Sequence, residues 1–177
     1  QIFVQELTKA RREKGAASVE RTLASLRAAR EMGVHTALDS NGYFGDRLSD
    51  AALDNVSLVL LDLKTADPER HRSLTRMDNA PTHAFARRLA ARRLPIWVRY
   101  VLVPGLTDDP EDVAKTAAFA GELGNVERVD VLPFHQMGKY KWERLGLEYT
   151  LANTSPPTNE LVEQTCALFR RVGLKAY

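Results

Sequence analysis

An apolar run that ends in an acid and a base decides the fold: Leu58-Val59-Leu60-Leu61-Asp62-Leu63-Lys64. A continuous apolar run of this length is typical of a strand buried on both faces, as in a parallel sheet. Asp62 and Lys64 lie on the same side of such a strand, because side chains alternate with a period of two. In α/β folds the carboxyl ends of the strands are where ligands bind, so this pair predicts a functional site.

Strands and helices alternate along the rest of the chain. We predict parallel strands at residues 34–39, 58–63, 96–103 and 127–132, with amphipathic helices between them packed on one side. Residues 1–15 are predicted to form a helix with Phe3, Leu7 and Ala10 on one face, ended by Gly15. The sequence therefore predicts an α/β fold with a parallel sheet of βα repeats, in a single domain that spans residues 1–177.

The composition is that of an ordinary globular protein, with 44% hydrophobic residues, 27% charged residues and a net charge of +2. This charge is too small to indicate nucleic-acid binding, and no apolar run has the length of a membrane-spanning helix. Cys166 is the only cysteine, so the chain alone forms neither an internal disulfide nor an all-cysteine metal site. These features predict a cytoplasmic protein whose partners are neither nucleic acid nor membrane.

Polar side chains stand at the end of each predicted strand. They are Asp39, then Asp62 with Lys64, then His135, and Arg99 lies inside the third strand. Parallel strands deliver their carboxyl ends to one edge of a sheet, so these side chains are expected to surround one mouth. Two acids and two bases suit a zwitterionic ligand, or a ligand together with a cation.

Two other features have weaker interpretations. His35 and His71 look like ordinary strand-edge and surface histidines. Residues 136–142, Gln-Met-Gly-Lys-Tyr-Lys-Trp, form either a mobile loop that binds a partner or an ordinary surface loop anchored by Trp142.

The strand-end motifs resemble a known family when they are taken together. In order, they are His35-Thr36-Ala37-Leu38-Asp39-Ser40-Asn41-Gly42, Leu61-Asp62-Leu63-Lys64, Trp97-Val98-Arg99-Tyr100-Val101-Leu102-Val103-Pro104-Gly105, Leu132-Pro133-Phe134-His135 and Gly138-Lys139-Tyr140-Lys141-Trp142. From about Val34 onward the chain is similar to the C-terminal two-thirds of pyruvate formate-lyase activating enzymes, which are radical S-adenosylmethionine enzymes.

The resemblance implies an open, partial (β/α)6 TIM-like barrel that holds a 4Fe-4S cluster and S-adenosylmethionine. The reduced cluster would cleave the sulfonium, and the resulting 5′-deoxyadenosyl radical would take a hydrogen from one glycine of pyruvate formate-lyase. An electron donor such as flavodoxin or ferredoxin would reduce the cluster. The implied S-adenosylmethionine contacts are Asp39, Lys64, Arg99 and His135. A monovalent cation would lie near Asp39, Ser40 and Asp62.

The chain departs from the family pattern in its first part. The three-cysteine cluster motif and the Gly-Gly-Glu motif that binds the amino group of S-adenosylmethionine are both absent from the sequence. The expectation is a fragment, or a degenerate relative, that supplies half of the cofactor pocket and is inactive alone. The strand near Val34 is then expected to be an exposed edge that promotes self-association.

Two further functions fit the same residues. Lys64 could form a Schiff base in a lyase or aldolase, since a lysine beside an acid at a strand end suits that role. Alternatively, the chain could be a non-catalytic binding module that keeps the pocket and the partner loop.

Overall fold

Five parallel strands form the centre of the molecule. The computed structural model describes residues 2–5 and 12–177, with side chains from residue 20 onward apart from that of Lys141. The strands are adjacent in sequence order: β1 (Ile2–Gln5), β2 (Thr36–Ser40), β3 (Leu58–Asp62), β4 (Ile96–Leu102) and β5 (Val126–Pro133). Each neighbouring pair is parallel. The predicted α/β fold with a parallel sheet is confirmed, and the described strands form an open sheet.

Helices connect the strands, and four of those described begin after a side chain that accepts a capping hydrogen bond: Ser49, Asp67, Asp109 or Thr158. The helices are α1 (Arg12–Glu31), α2 (Asp50–Leu53), α3 (Pro68–Thr75), α4 (Ala80–Ala91), α5 (Pro110–Glu122), α6 (Lys139–Arg144) and α7 (Asn159–Arg171). Short 3-10 turns span Gly45–Arg47 and Gln136–Gly138. Asp109 caps α5 by accepting a hydrogen bond from the Asp112 N–H at 2.9 Å, and Gly124 follows with a φ of 71°. None of the described helices is long and apolar enough to cross a membrane.

The two faces of the sheet differ in what they bury. One face joins the helices in the main core, whose strand residues include Val59, Leu61, Val98, Tyr100 and Leu102. The other face carries a smaller apolar group: Ala37, Leu58 and Leu60, with Trp97 packed against them. Because side chains alternate along a strand, the residues of this second face continue into Asp39, Asp62 and Arg99. The candidate site therefore lies on the face opposite the main core.

The start of the chain corrects one sequence prediction. Ile2–Gln5 is a strand, where a helix was predicted over residues 1–15, and Gly15 lies inside α1 and does not end a helix. Residues 1 and 6–11 of that predicted helix lie outside the described residues. Isoleucine, phenylalanine and valine favour strands, and one glycine costs a helix only about 1 kcal/mol. The prediction that the strand near Val34 is an exposed edge is also wrong, because this strand, β2, lies between β1 and β3.

The last residues run along the outer side of β5. The Val129 N–H donates to the Lys175 carbonyl at 2.8 Å, and the Tyr177 N–H donates to the Val129 carbonyl at 3.1 Å. Ala176 thereby forms a parallel bridge with Val129. This tail satisfies backbone groups that an edge strand would otherwise present to solvent.

Candidate functional site

Arg99, in the middle of β4, is the centre of a charged group that includes the carboxyl ends of β2 and β3. Its Nε donates to Asp62 Oδ1 at 2.9 Å, and its Nη1 donates to Asp39 Oδ2 at 2.8 Å. Its Nη2 contacts Asp39 Oδ1 and also Asp62 Oδ1, the latter at 2.8 Å. The side chains of Arg99, Asp39 and Asp62 are 26%, 12% and 19% exposed. Their charges are thus largely removed from water and compensate one another.

The strand register explains why these residues meet. Asp62 pairs directly with Arg99 across β3 and β4, whereas Asp39 lies two strands away and pairs with Leu60. Adjacent strands are about 4.8 Å apart, so the long guanidinium side chain can cross β3 to reach Asp39. Sequence alternation therefore predicts the shared face. The parallel register places Asp62 beside Arg99, and the guanidinium reaches back to Asp39, which is level with Leu60.

Lys64 continues the charged group beyond the end of β3. Its Nζ donates to Asp62 Oδ2 at 3.0 Å, and its side chain is 32% exposed. Asp62 and Lys64 also line a cavity of about 220 Å³. The remaining lining residues come from the segment after β2 and from α3 to α4: Asn41, Tyr43, Phe44, His71, Thr75, Met77 and Thr82. A cavity beside a charged strand end is the usual form of a small-molecule site.

A second charged pair lies on the same face, and the sequence analysis did not predict it. Asp130 is the β5 residue paired with Arg99, and it accepts a hydrogen bond from Arg128 Nε at 2.6 Å. The Arg128 guanidinium also stacks over the Trp97 and Tyr177 rings, at 4.9 Å from each centroid. The i, i+2 spacing of Arg128 and Asp130 in a strand is the signal that could have placed both on this face.

His135 and Ser40 make their hydrogen bonds within their own loops. His135 is exposed, and its Nδ1 accepts from the Met137 N–H at 3.3 Å, which begins the turn after β5. Ser40 Oγ accepts from the Gly42 N–H at 2.9 Å. Asp39, Asp62, Lys64 and Arg99 form one contact group, and His135 follows the end of the neighbouring strand. The predicted roles of all these residues in binding a cofactor or cation stay predictions.

Two lesser predictions are wrong. His71 is buried, where a surface position was expected: it lines the cavity, and its Nδ1–H donates to the Met77 carbonyl at 2.9 Å. Residues 136–142 were expected to form a loop, yet they comprise a 3-10 turn and most of α6. Trp142 there is 42% exposed and lies 5.8 Å from Tyr149, so it anchors this segment only partly.

A 4Fe-4S cluster does not fit the residues of this chain. Thiolates are the usual ligands of such clusters, and Cys166 is a single cysteine, buried in α7. Among the side chains that the structure describes, no group of three or more His, Cys, Asp or Glu residues could hold a metal ion. S-adenosylmethionine is a better match, because its carboxylate, amino group and ribose suit ammonium and carboxylate partners such as Lys64 and Asp62.

Solved structures share this fold. A domain of pyruvate-formate lyase-activating enzyme from Bacteroides vulgatus superposes with a TM-score of 0.70 and 23% identity, covering 89% of each chain. Streptococcus suis SuiB bound to S-adenosylmethionine gives a TM-score of 0.65 and 14% identity over 98% of this chain and 36% of SuiB. A radical SAM methyltransferase from Sphaerobacter thermophilus gives 0.64 and 18%, over 92% of this chain and 47% of that one. The chain therefore has the fold found in radical S-adenosylmethionine enzymes.

Curated sequences are more similar to the chain than these structures are, although no family model matches it. The pyruvate formate-lyase 1-activating enzyme of Escherichia coli K12 is 38% identical over 151 residues, or 84% of this chain and 61% of the relative. The Listeria monocytogenes activating enzyme is 44% identical over 137 residues, or 73% and 55%. The chain is thus a homologue of pyruvate formate-lyase activating enzymes, as its motifs indicated. It spans between 55% and 61% of the length of these relatives.

Proposed function

We propose that this chain forms part of the S-adenosylmethionine pocket of a radical activating enzyme. The protein partner would be a glycyl-radical enzyme, pyruvate formate-lyase, and the electron donor would be a flavodoxin or ferredoxin. Residues 1–177 would form one domain, the C-terminal portion of a radical S-adenosylmethionine barrel. When bound, S-adenosylmethionine supplies the radical that removes hydrogen from a glycine of the partner. The iron–sulfur ligands of such an enzyme would come from outside the 177 residues of this chain.

The observation that carries this proposal is the group formed by Asp39, Asp62, Lys64 and Arg99. It spans three adjacent parallel strands and includes the carboxyl ends of two of them, on the face that the main core leaves open. The matched relatives, at 38% and 44% identity, bear the name of this activity. Fold similarity alone would not carry a function, whereas a charged strand-end group in a homologous chain supports one.

The residues divide into a rigid centre and groups that can face a ligand. Arg99 directs its donors to two carboxylates and thereby fixes Asp39 and Asp62. The Lys64 ammonium carries three donors and gives one to Asp62, which leaves donors for the ligand carboxylate. His135 is exposed after β5, where its ring can donate to the ribose or to the adenine. A monovalent cation beside Asp39, Ser40 and Asp62 belongs to this proposal as well.

The test uses a chimera in which the unmatched segment of the Escherichia coli relative is joined to this chain. Asp39→Ala and His135→Ala should each weaken S-adenosylmethionine binding tenfold or more in calorimetry. For Asp39, breaking a buried charged contact costs about 2–5 kcal/mol, whereas for His135 the loss of one hydrogen bond to the ligand costs about 1.5 kcal/mol; about 1.4 kcal/mol corresponds to a factor of ten.

Glu122→Gln is the control, because Glu122 is exposed at the far end of α5. It should bind as the unmodified chimera does. If both site variants bind S-adenosylmethionine with unchanged affinity, the pocket lies elsewhere and the site assignment is wrong.

The alternative role of Lys64 as a Schiff-base nucleophile finds less support. A nucleophilic lysine needs a lone pair that faces its substrate, and an ammonium held by a carboxylate at 3.0 Å acts instead as a binding group. Treatment with borohydride and a carbonyl substrate should leave Lys64 unmodified. Binding of pyruvate formate-lyase without any cofactor would instead favour a binding module.

A further inference from the structure

The two residues after Lys64 are held by side chains from separate helices. Thr65 is 1% exposed, and its Oγ1 donates to Asp112 Oδ1 of α5 at 2.5 Å. The same Oγ1 accepts from the Asp67 N–H at 3.0 Å. One buried hydroxyl therefore links the end of β3 both to α5 and to the start of α3.

The backbone of this segment is bound on both sides. The Ala66 N–H donates to Thr116 Oγ1 of α5 at 2.9 Å. Asn79 is the residue before α4, and its Nδ2 donates to the Ala66 carbonyl at 2.9 Å and to the Thr65 carbonyl at 3.4 Å. We call this set, formed by Thr65, Ala66, Asn79, Asp112 and Thr116, the Thr65 clamp.

Two side chains of the Thr65 clamp stand at helix positions that favour capping, but they bind the segment after Lys64 instead. Asn79 is the N-cap of α4, yet its side chain makes no capping hydrogen bond among the described residues. Asp112 is three residues after the N-cap of α5, where an acidic side chain commonly reaches back to the N-cap backbone. Its Oδ1 turns to Thr65 instead. Both side chains therefore form hydrogen bonds with the segment after Lys64 and, within the described part of the chain, none with the first turns of their own helices.

The polar side chains of the Thr65 clamp are buried, so the loss of one of their hydrogen bonds would cost free energy. Asp112, Thr116 and Asn79 are 2%, 1% and 3% exposed. In the part of the chain that the structure describes, the second oxygen of Asp112, Oδ2, has no hydrogen-bond partner. Buried polar groups are tolerated mainly where hydrogen bonds compensate them, so the Thr65 hydroxyl is an important partner of this carboxylate.

The Thr65 clamp directly follows Lys64 in the chain and so restricts where the Lys64 side chain can lie. The strand β3 ends at Asp62, so Lys64 lies beyond the regular sheet. On one side, the Leu63 N–H donates to the Arg99 carbonyl at 3.1 Å. On the other side, Thr65 is fixed by the clamp. Lys64 is therefore a partly exposed residue between two anchored ones. This anchoring keeps its ammonium directed toward Asp62 and the cavity.

We propose that Asn79, Asp112 and Thr116 are positioning residues, which act through Thr65 and Ala66 to hold Lys64 at the site. This rests on the proposed function only in taking Lys64 as a member of the cofactor pocket. The clamp itself is a property of the 177-residue chain, so its test needs no cofactor.

The experiment compares three buried-threonine variants by the acylation rate of Lys64. A brief pulse of N-acetoxysuccinimide is followed by peptide mass spectrometry, with Lys175 as the internal reference. Thr65→Val removes the clamp hydroxyl, and Thr65→Ser retains it. Thr36→Val is the matched control, because the Thr36 hydroxyl is equally buried and ties Asn55 and Ser57 at the opposite end of the sheet.

Thr65→Val should raise the rate at Lys64 at least about fivefold, because that factor corresponds to one typical hydrogen bond and the Thr65 hydroxyl makes two. Thr65→Ser and Thr36→Val should react as the unmodified chain does. Urea unfolding of all variants identifies any global loss of structure, which would raise the rates at other lysines as well. An unchanged rate in Thr65→Val, or an equal rise in Thr36→Val, overturns the proposal. A selective rise at Lys64 without any effect of Lys64→Ala on S-adenosylmethionine binding would retain the clamp and reject the pocket assignment.

Discussion

At the scale of single residues, Arg99 bridges two carboxylates on neighbouring strands. Replacing it with methionine leaves Asp39 and Asp62 together on a partly buried surface. We expect Arg99→Met to lower the free energy of unfolding by about 2–3 kcal/mol, less than for a fully buried pair because all three side chains keep some exposure. Urea denaturation measures this change.

Arg72→Met is the comparison, since Arg72 pairs with Asp78 at 2.5 Å where both side chains are more than half exposed. Such a surface pair contributes less than about 1 kcal/mol. Equal losses in the two variants would show that the Arg99 group is no more than a surface network.

Single residues also show what the sequence could and could not predict. Asp39, Asp62, Lys64 and Arg99 were identified because they interrupt or end apolar runs. Their mutual pairing was not predicted, since it depends on the register of three strands and on the reach of one side chain. The role of Asp112 left no signal either, because an acid in the first turn of a helix is common.

At the scale of elements, a close approach between α4 and the turn at Gly45–Arg47 fixes the segment after β2. A Cβ atom at Gly45 would lie 2.7 Å from the Cβ atom of Phe85, which is buried in α4. Arg88 of α4 also donates to the Gly45 carbonyl at 3.1 Å. Gly45→Ala should therefore destabilise the chain by about 1–3 kcal/mol, as overpacking does.

Gly138→Ala serves as the control in the same denaturation experiment. A Cβ atom at Gly138 would meet nothing within 4 Å, so this substitution should have little effect. A neutral Gly45→Ala variant would mean that α4 can move away from the turn without cost.

The contact between α4 and α5 predicts a dependence of stability on pH. His83 stacks on Phe119 with 4.1 Å between the ring centroids. Burial lowers the pKa of His83 from 6.5 to about 4, and the Arg87 guanidinium acts in the same direction. The unfolded chain thus binds a proton at this histidine below about pH 6.5, whereas the folded chain binds it only near pH 4. The contribution to stability is complete above pH 6.5 and is lost as the pH falls toward 4.

A His83→Gln variant should lose that component. The difference between its unfolding free energy and that of the unmodified chain should shrink between pH 6.5 and 4. Urea midpoints across this range measure the difference, and a constant gap would contradict the lowered pKa.

Elements with several agreeing signals were predicted well. The helix α5 has Asp109, Pro110 and a closing Gly124, and β3 and β4 are long apolar runs. The helix predicted at residues 1–15 failed because Phe3, Leu7 and Ala10 also fit a helical period, and only pairing with β2 selects the strand. The turn and helix after His135 were missed because their aromatic and basic side chains are exposed and show no periodic apolar face.

At the scale of the whole molecule, stability should be highest in the middle of the sheet. Strand β3 lies between β2 and β4, and its apolar residues are buried on both faces. Amide hydrogen exchange should therefore be slowest in β3 and β4 and faster in α6, which lies among exposed residues. Exchange measured by mass spectrometry tests this order. Faster exchange in β3 than in α6 would show that the sheet is not the cooperative core.

The sequential order of the strands also has a consequence for how the polypeptide is made. Each strand pairs with the one that precedes or follows it along the chain. Closing a short loop costs less entropy than closing a long one, and folds rich in local contacts form faster. The described part of the sheet can therefore grow by one βα unit at a time as the chain leaves the ribosome, because each of its strands finds its partner in the unit made just before or after it.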